Sequence, residues 1–174
     1  MAGAALPSAS AQTRRTRSGI ARLLALLLPL SLLAGAYGSQ YFGGLVPCEM
    51  CWWQRYAHFA ALPFAALAFT AVADSKPARI MTGLAASAIA VSGAIGLYHA
   101  GVELHLLPGL TTCSAASSGL SGEDLLKSIL NTPLVRCDQV QWSFLGVSMA
   151  GWNAIISLGG AVAIAFLLVR EKRG

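Results

Sequence analysis

Apolar residues in this chain do not alternate with polar ones. They run in long blocks separated by short polar stretches. Four blocks, at about 20–42, 51–73, 80–100 and 144–169, each match the roughly 20 residues a helix needs to cross a bilayer. The pattern predicts an all-α membrane protein, a four-helix transmembrane bundle over 20–170. A tail over 1–19, rich in Ala, Ser, Thr and Arg, shows no apolar period and is expected to be mobile. Residues 171–174 form a second short tail. The third block is rich in Ala, Gly and Ser, as expected where helices pack closely in lipid. Pro47 suits the first position of the second helix and Pro63 is expected to kink it. The connections are a short loop at 43–50, a tight turn at Asp74–Arg79 and a long loop at 101–142. In the long loop, Ser121 and Asp124 nearly form a capping box. Leu125, Leu126, Ile129 and Leu130 then share one side of a short helix expected on the membrane surface.

Composition agrees: 56% of residues are hydrophobic and 11% charged, against about a quarter charged in soluble domains. The net charge of +5 does not indicate nucleic acid. Nine of the twelve basic residues flank the blocks: Arg14, Arg15, Arg17 and Arg22; Lys76 and Arg79; Arg170, Lys172 and Arg173. The excess of basic residues in cytoplasmic loops places all three groups, and so both termini, in the cytoplasm. The run Leu23–Leu33 followed by Ala34-Gly35-Ala36 also resembles a cleavable signal peptide. Apolar residues continuing to Phe42 favour a retained span, and either outcome leaves the next loop outside.

This topology puts Cys48, Cys51, Cys113 and Cys137 on one outer side. In a bacterial-type inner membrane that side is the periplasm, where disulfides persist. Cys48 and Cys51 stand at i and i+3, and Arg55 lies four residues beyond Cys51 on the same helix face. A helix N-terminus and a guanidinium both favour a thiolate there. An arginine where a span begins is costly without a function; the plainer alternative is snorkelling to the interface. Four cysteines allow three pairings. Cys48–Cys51 is locally easy and would leave Cys113–Cys137 across the long loop. A bond between neighbouring turns constrains little chain entropy, so redox work explains Cys48–Cys51 better than a structural role. For Cys113–Cys137 a structural staple stays open. A zinc site is disfavoured by a single Cys-x-x-Cys and an oxidising compartment. Trp52, where c-type haem attachment needs His, excludes that reading.

Cys48-Glu-Met-Cys51-Trp-Trp-Gln-Arg55 resembles the Cys-x-x-Cys-x-x-x-Arg pattern of the disulfide-bond formation protein B family, DsbB. Cys113 and Cys137, Tyr98-His99 and the stretch Trp142–Trp152 resemble it too, so the likeness covers about 20–170. It implies an oxidoreductase that reoxidises a periplasmic thioredoxin-like oxidase (DsbA-like) and passes the electrons to ubiquinone or menaquinone. It implies the pairs Cys48–Cys51 and Cys113–Cys137, with Cys113 forming the mixed disulfide with the partner and Cys51 meeting the quinone. Arg55, His99 and Met149 match positions around the quinone. Glu49 departs from the small or apolar residues commoner between these cysteines and bears on redox poise. The chemistry agrees on its own terms: an oxidant at about −120 mV is reoxidised only by something more oxidising. No flavin or nicotinamide fingerprint is present.

Other readings compete. The resemblance leaves room for a relative serving one dedicated substrate, or for a quinone reductase of the vitamin K epoxide reductase type. A disulfide-stapled membrane scaffold is the non-enzyme alternative; no line of polar residues crosses the spans, which argues against a channel. Trp52 and Trp53 read as interfacial anchors, His58 as packing between helices and His105 as exposed. Gln54 fits either a ligand or backbone.

Overall fold

A computed structural model describes residues 8–72, 75–110 and 136–173. Cys113 and the short helix expected after Ser121 lie outside the described residues. The elements are α1 (Ala9–Tyr41), α2 (Glu49–Thr70), α3 (Lys76–Glu103), a hairpin of β1 (Ser143–Phe144) and β2 (Val147–Ser148), and α4 (Met149–Arg173).

Two boundaries differ from expectation. Helix α1 starts at Ala9, well before its apolar block and inside the stretch read as a mobile tail. Alanine and arginine are strong helix formers. The Thr13 and Thr16 hydroxyls donate to carbonyls one turn back, at 2.9 and 3.0 Å, so the helix continues outward. At the other end, the block expected to be helical from Phe144 opens as a hairpin, with Phe144 paired to Val147. Leu145 and Gly146 hold φ of 53° and 76°, the two left-handed positions a tight two-residue turn requires. Stacking of Trp142 on Phe144 and a 3.1 Å bond from Trp152 Nε1 to the Phe144 carbonyl hold it against α4.

Leu27, Val91, Leu97, Val162 and Phe166 are all more than half exposed, on helix faces turned outward. A water-soluble bundle would bury them. By length and composition α1, α3 and α4 can cross a membrane; α2 carries Gln54, Arg55 and His58 in its first three turns.

The interior is layered along the helices. One end is a seam of small side chains, Ala21, Ala25, Ala61, Ala65, Ala85 and Ala161, with Ile89 and Ile164. The other end is a cluster of Cys48, Met50, Val102 and Cys137. Between them in helix order lie buried Gln54, His58, Ser92, His99 and Ser157. Helix α3 packs on both α2 and α4, and glycine makes the second contact possible. A Cβ on Gly93 would lie 2.8 Å from Leu158 Cγ and 3.0 Å from Leu158 N. Gly93→Ala is therefore expected to cost about 1–3 kcal/mol through overpacking. Gly83, with nothing within 4 Å, is the control. Thermal unfolding in detergent should show a lower midpoint for Gly93→Ala only; equal midpoints would mean the helices separate freely there.

Candidate functional site

The site is built from the start of α2. Cys48 takes an extended conformation and its Sγ accepts the Cys51 backbone N–H at 3.4 Å, so the sulfur itself caps the helix. Pro47, expected as the first helical residue, stands just before this cap. One helical turn brings the two sulfurs to 3.1 Å. Cys48 is buried and Cys51 half-buried.

The segment before the hairpin brings Cys137 to the same place. Gln141 Nε2 donates to the Val46 carbonyl at 2.8 Å, tying that segment to the one that leads into α2. Cys137, 1% exposed, packs in the cluster with Cys48, against Trp53 and Tyr98. Arg136 and Asp138 on either side form a two-bond ion pair. The Arg136 hydrogen bond and charge hold the Asp138 carboxyl below its ordinary range. Tyr98 Oη fixes the loop after α3 through the Pro108 carbonyl at 2.8 Å.

Arg55 is buried and its head is held by α1: Nη1 donates to Gln40 Oε1 at 2.6 Å and Nη2 to the Ala36 carbonyl at 3.1 Å. The guanidinium also lies over the Tyr37 and Trp52 rings at 4.7 and 5.0 Å. Such a side chain is positioned rather than snorkelling.

A cavity of about 550 Å³ joins these groups, with Cys51, Arg55, His58, His99 and Met149 on its wall. Met149 receives a weak 3.9 Å contact from the Ser39 hydroxyl. His99 lies beside sulfur, its Nε2 3.6 Å from Cys48 Sγ and 3.8 Å from Glu103 Oε1. Its Nδ1 meets Gln54 Nε2 at 3.0 Å. Gln54 Oε1 accepts from Asn153 Nδ2 at 2.7 Å, and Asn153 Oδ1 meets His58 Nε2 at 3.0 Å.

The structure thus gathers Cys48, Cys51, Cys137 and His99, and sets Arg55 and Met149 on the adjoining wall. His58 lies between helices as expected, and His105 is exposed. Gln40, Glu103 and Asn153 escaped the sequence reading. Each is a polar residue within an apolar helix, a signal by itself, but nothing local reveals the partner.

Comparison with known proteins matches residues 17–167 to the family "Disulfide bond formation protein DsbB". A "Disulfide bond formation protein B" from Acidovorax sp. (strain JS42) is 32% identical over 169 residues, covering 88% of this chain and 90% of the relative. One from Methylococcus capsulatus is 36% identical over 146 residues, covering 79% and 85%. One from Marinobacter nauticus is 31% identical over 156 residues, covering 85% and 90%. No solved structure matches the chain.

Proposed function

The chain belongs to the DsbB family of disulfide bond formation proteins, membrane disulfide oxidoreductases, and from that premise we propose that it reoxidises a periplasmic thioredoxin-like (DsbA-like) dithiol and passes the electrons to a membrane quinone. The observation that carries the proposal is the meeting of Cys48, Cys51 and Cys137 in one buried cluster beside the cavity that Arg55 lines. In this reading α2 is the fourth span, both termini are cytoplasmic, the loops at 43–50 and 101–142 are periplasmic, and the membrane is the bacterial inner membrane.

The partner's thiolate attacks Cys113 of a Cys113–Cys137 disulfide, forming one S–S bond while Cys137 leaves as thiolate. Cys137 attacks Cys48, its neighbour in the cluster, and Cys51 leaves as thiolate; the partner's second thiol resolves its bond to Cys113, and the freed Cys113 re-forms its bond with Cys137, expelling Cys48 as the second thiolate. Two electrons thereby reach Cys51, on the cavity wall. The cavity falls within the roughly 300–1,000 Å³ of small-molecule sites. Arg55 and Met149 would hold ubiquinone or menaquinone there, with the His99 ring on the same wall and both its nitrogens turned to protein groups; such a quinone, when bound, accepts two electrons and two protons. Arg55, pre-oriented by Gln40 and the Ala36 carbonyl, stabilises negative charge developing on its cavity side.

The test is turnover of the purified full chain in detergent with a reduced thioredoxin-like oxidase and a short-chain quinone. One quinone should disappear per dithiol oxidised, and organic extraction should release quinone that copurifies. Cysteine pairs that resist mild reductant, together with no quinone loss, would refute the proposal and favour stapled loops.

A further inference from the structure

We infer that Gln54 and Asn153 are positioning residues that lock His99 as an Nε2–H donor to the Cys48 sulfur, so that His99 stabilises the Cys48 thiolate whenever the Cys48–Cys51 bond is reduced. The inference rests on reading that pair as a working redox couple.

Two backbone carbonyls, which only accept hydrogen bonds, fix the amides. Gln54 Nε2 lies 3.2 Å from the Met50 carbonyl, and Asn153 Nδ2 lies 3.2 Å from the Ser92 carbonyl. Both amide orientations are thereby assigned, as are their oxygens. Gln54 Oε1 accepts from Asn153 at 2.7 Å, which keeps Gln54 from turning over. Its second N–H then points at His99 Nδ1, 3.0 Å away. That nitrogen must be bare, since a proton there would set donor against donor. The neutral ring therefore carries its proton on Nε2, which faces Cys48 Sγ at 3.6 Å and Glu103 Oε1 at 3.8 Å.

Of these two only the sulfur is within hydrogen-bond reach; Glu103 is a charge contact. A disulfide sulfur is a weak acceptor, so the bond strengthens once two electrons have entered the pair and Cys48 is a thiolate. No proton leaves the ring. The same lock weighs against a metal ion, although the ligand atoms of Cys48, Cys51 and His99 all lie within 4.8 Å of one another. A metal would need Nε2 bare and Nδ1 protonated, against the Gln54 N–H.

Stabilising a thiolate stabilises the reduced pair and makes it more oxidising. A hydrogen bond to a charged group corresponds to about a tenfold or larger change in an equilibrium constant. His99→Phe and Gln54→Leu should each shift the equilibrium of Cys48–Cys51 with dithiothreitol about tenfold toward the disulfide. Quantitative alkylation and mass spectrometry of the full chain give the readout. His99→Gln, which keeps an N–H donor, should restore part of the loss, and exposed His105→Ala should change nothing. Nitrogen-15 NMR of the histidines in wild-type protein reads the tautomer directly, whatever the variants do to folding. Protonation of His99 at Nε2 with bare Nδ1 is expected. A proton on Nδ1, or an equilibrium unmoved by His99→Phe, overturns the inference. A pair that dithiothreitol cannot open would instead defeat the redox reading, with the tautomer still deciding the lock.

Discussion

Cys51→Ser is expected to abolish electron delivery to quinone, lowering steady-state turnover by at least about a thousandfold, because a hydroxyl cannot enter thiol–disulfide exchange. Fold should survive, since serine is close in size and the Cys51 backbone N–H keeps its bond to Cys48 Sγ. The adduct with the reduced partner should survive as well, because on the proposed route it forms at Cys113. Stopped-flow absorbance of quinone and non-reducing gels of the partner mixture separate the two steps. Residual quinone reduction in Cys51→Ser would mean that electrons leave by another sulfur. Loss of the adduct would mean that the two cysteine pairs are not in series.

Arg55→Met should have the next largest effect. Methionine keeps an apolar stem against Tyr37 and Trp52 but removes the head that bonds Gln40 and the Ala36 carbonyl. Loss of a charged hydrogen-bonding group is worth about 1.5–3 kcal/mol, so the apparent KM for quinone should rise roughly 10- to 100-fold. The KM for the reduced partner should stay unchanged, since the proposed attack at Cys113 does not involve this arginine. Arg55→Lys keeps the charge without the two-pronged geometry and should fall between. Equal rises in both KM values, with a lower unfolding midpoint, would show that Arg55 only clamps α1 to α2.

Much of the helical frame could be read from the chain because lipid demands long unbroken apolar blocks. Helix ends were harder. The extension of α1 to Ala9 depends on the propensity of a polar stretch that has no apolar face. The Leu145–Gly146 turn is hidden in a run whose residues fit a helix equally well; only Gly146 hints at it. At the site, Cys48, Cys51 and Arg55 were legible because spacing alone puts them on one face. The bond from Gln54 to Asn153 was not: the two are 99 positions apart, and each residue alone is compatible with several partners. His99 shows the limit most clearly. The family resemblance set it near a quinone, whereas its contact with the Cys48 sulfur required knowing how α2 and α3 pack.

The bond from Gln141 to Val46 has a kinetic consequence. It holds the Cys137 segment on a leash only four residues long, beside the Cys48 sulfur that Cys137 attacks in the proposed relay. Short tethers give effective concentrations of millimolar or more. In the proposed relay, transfer between the two sulfur couples is then fast as well as intramolecular, so the encounter with a soluble dithiol is the step that dilution slows.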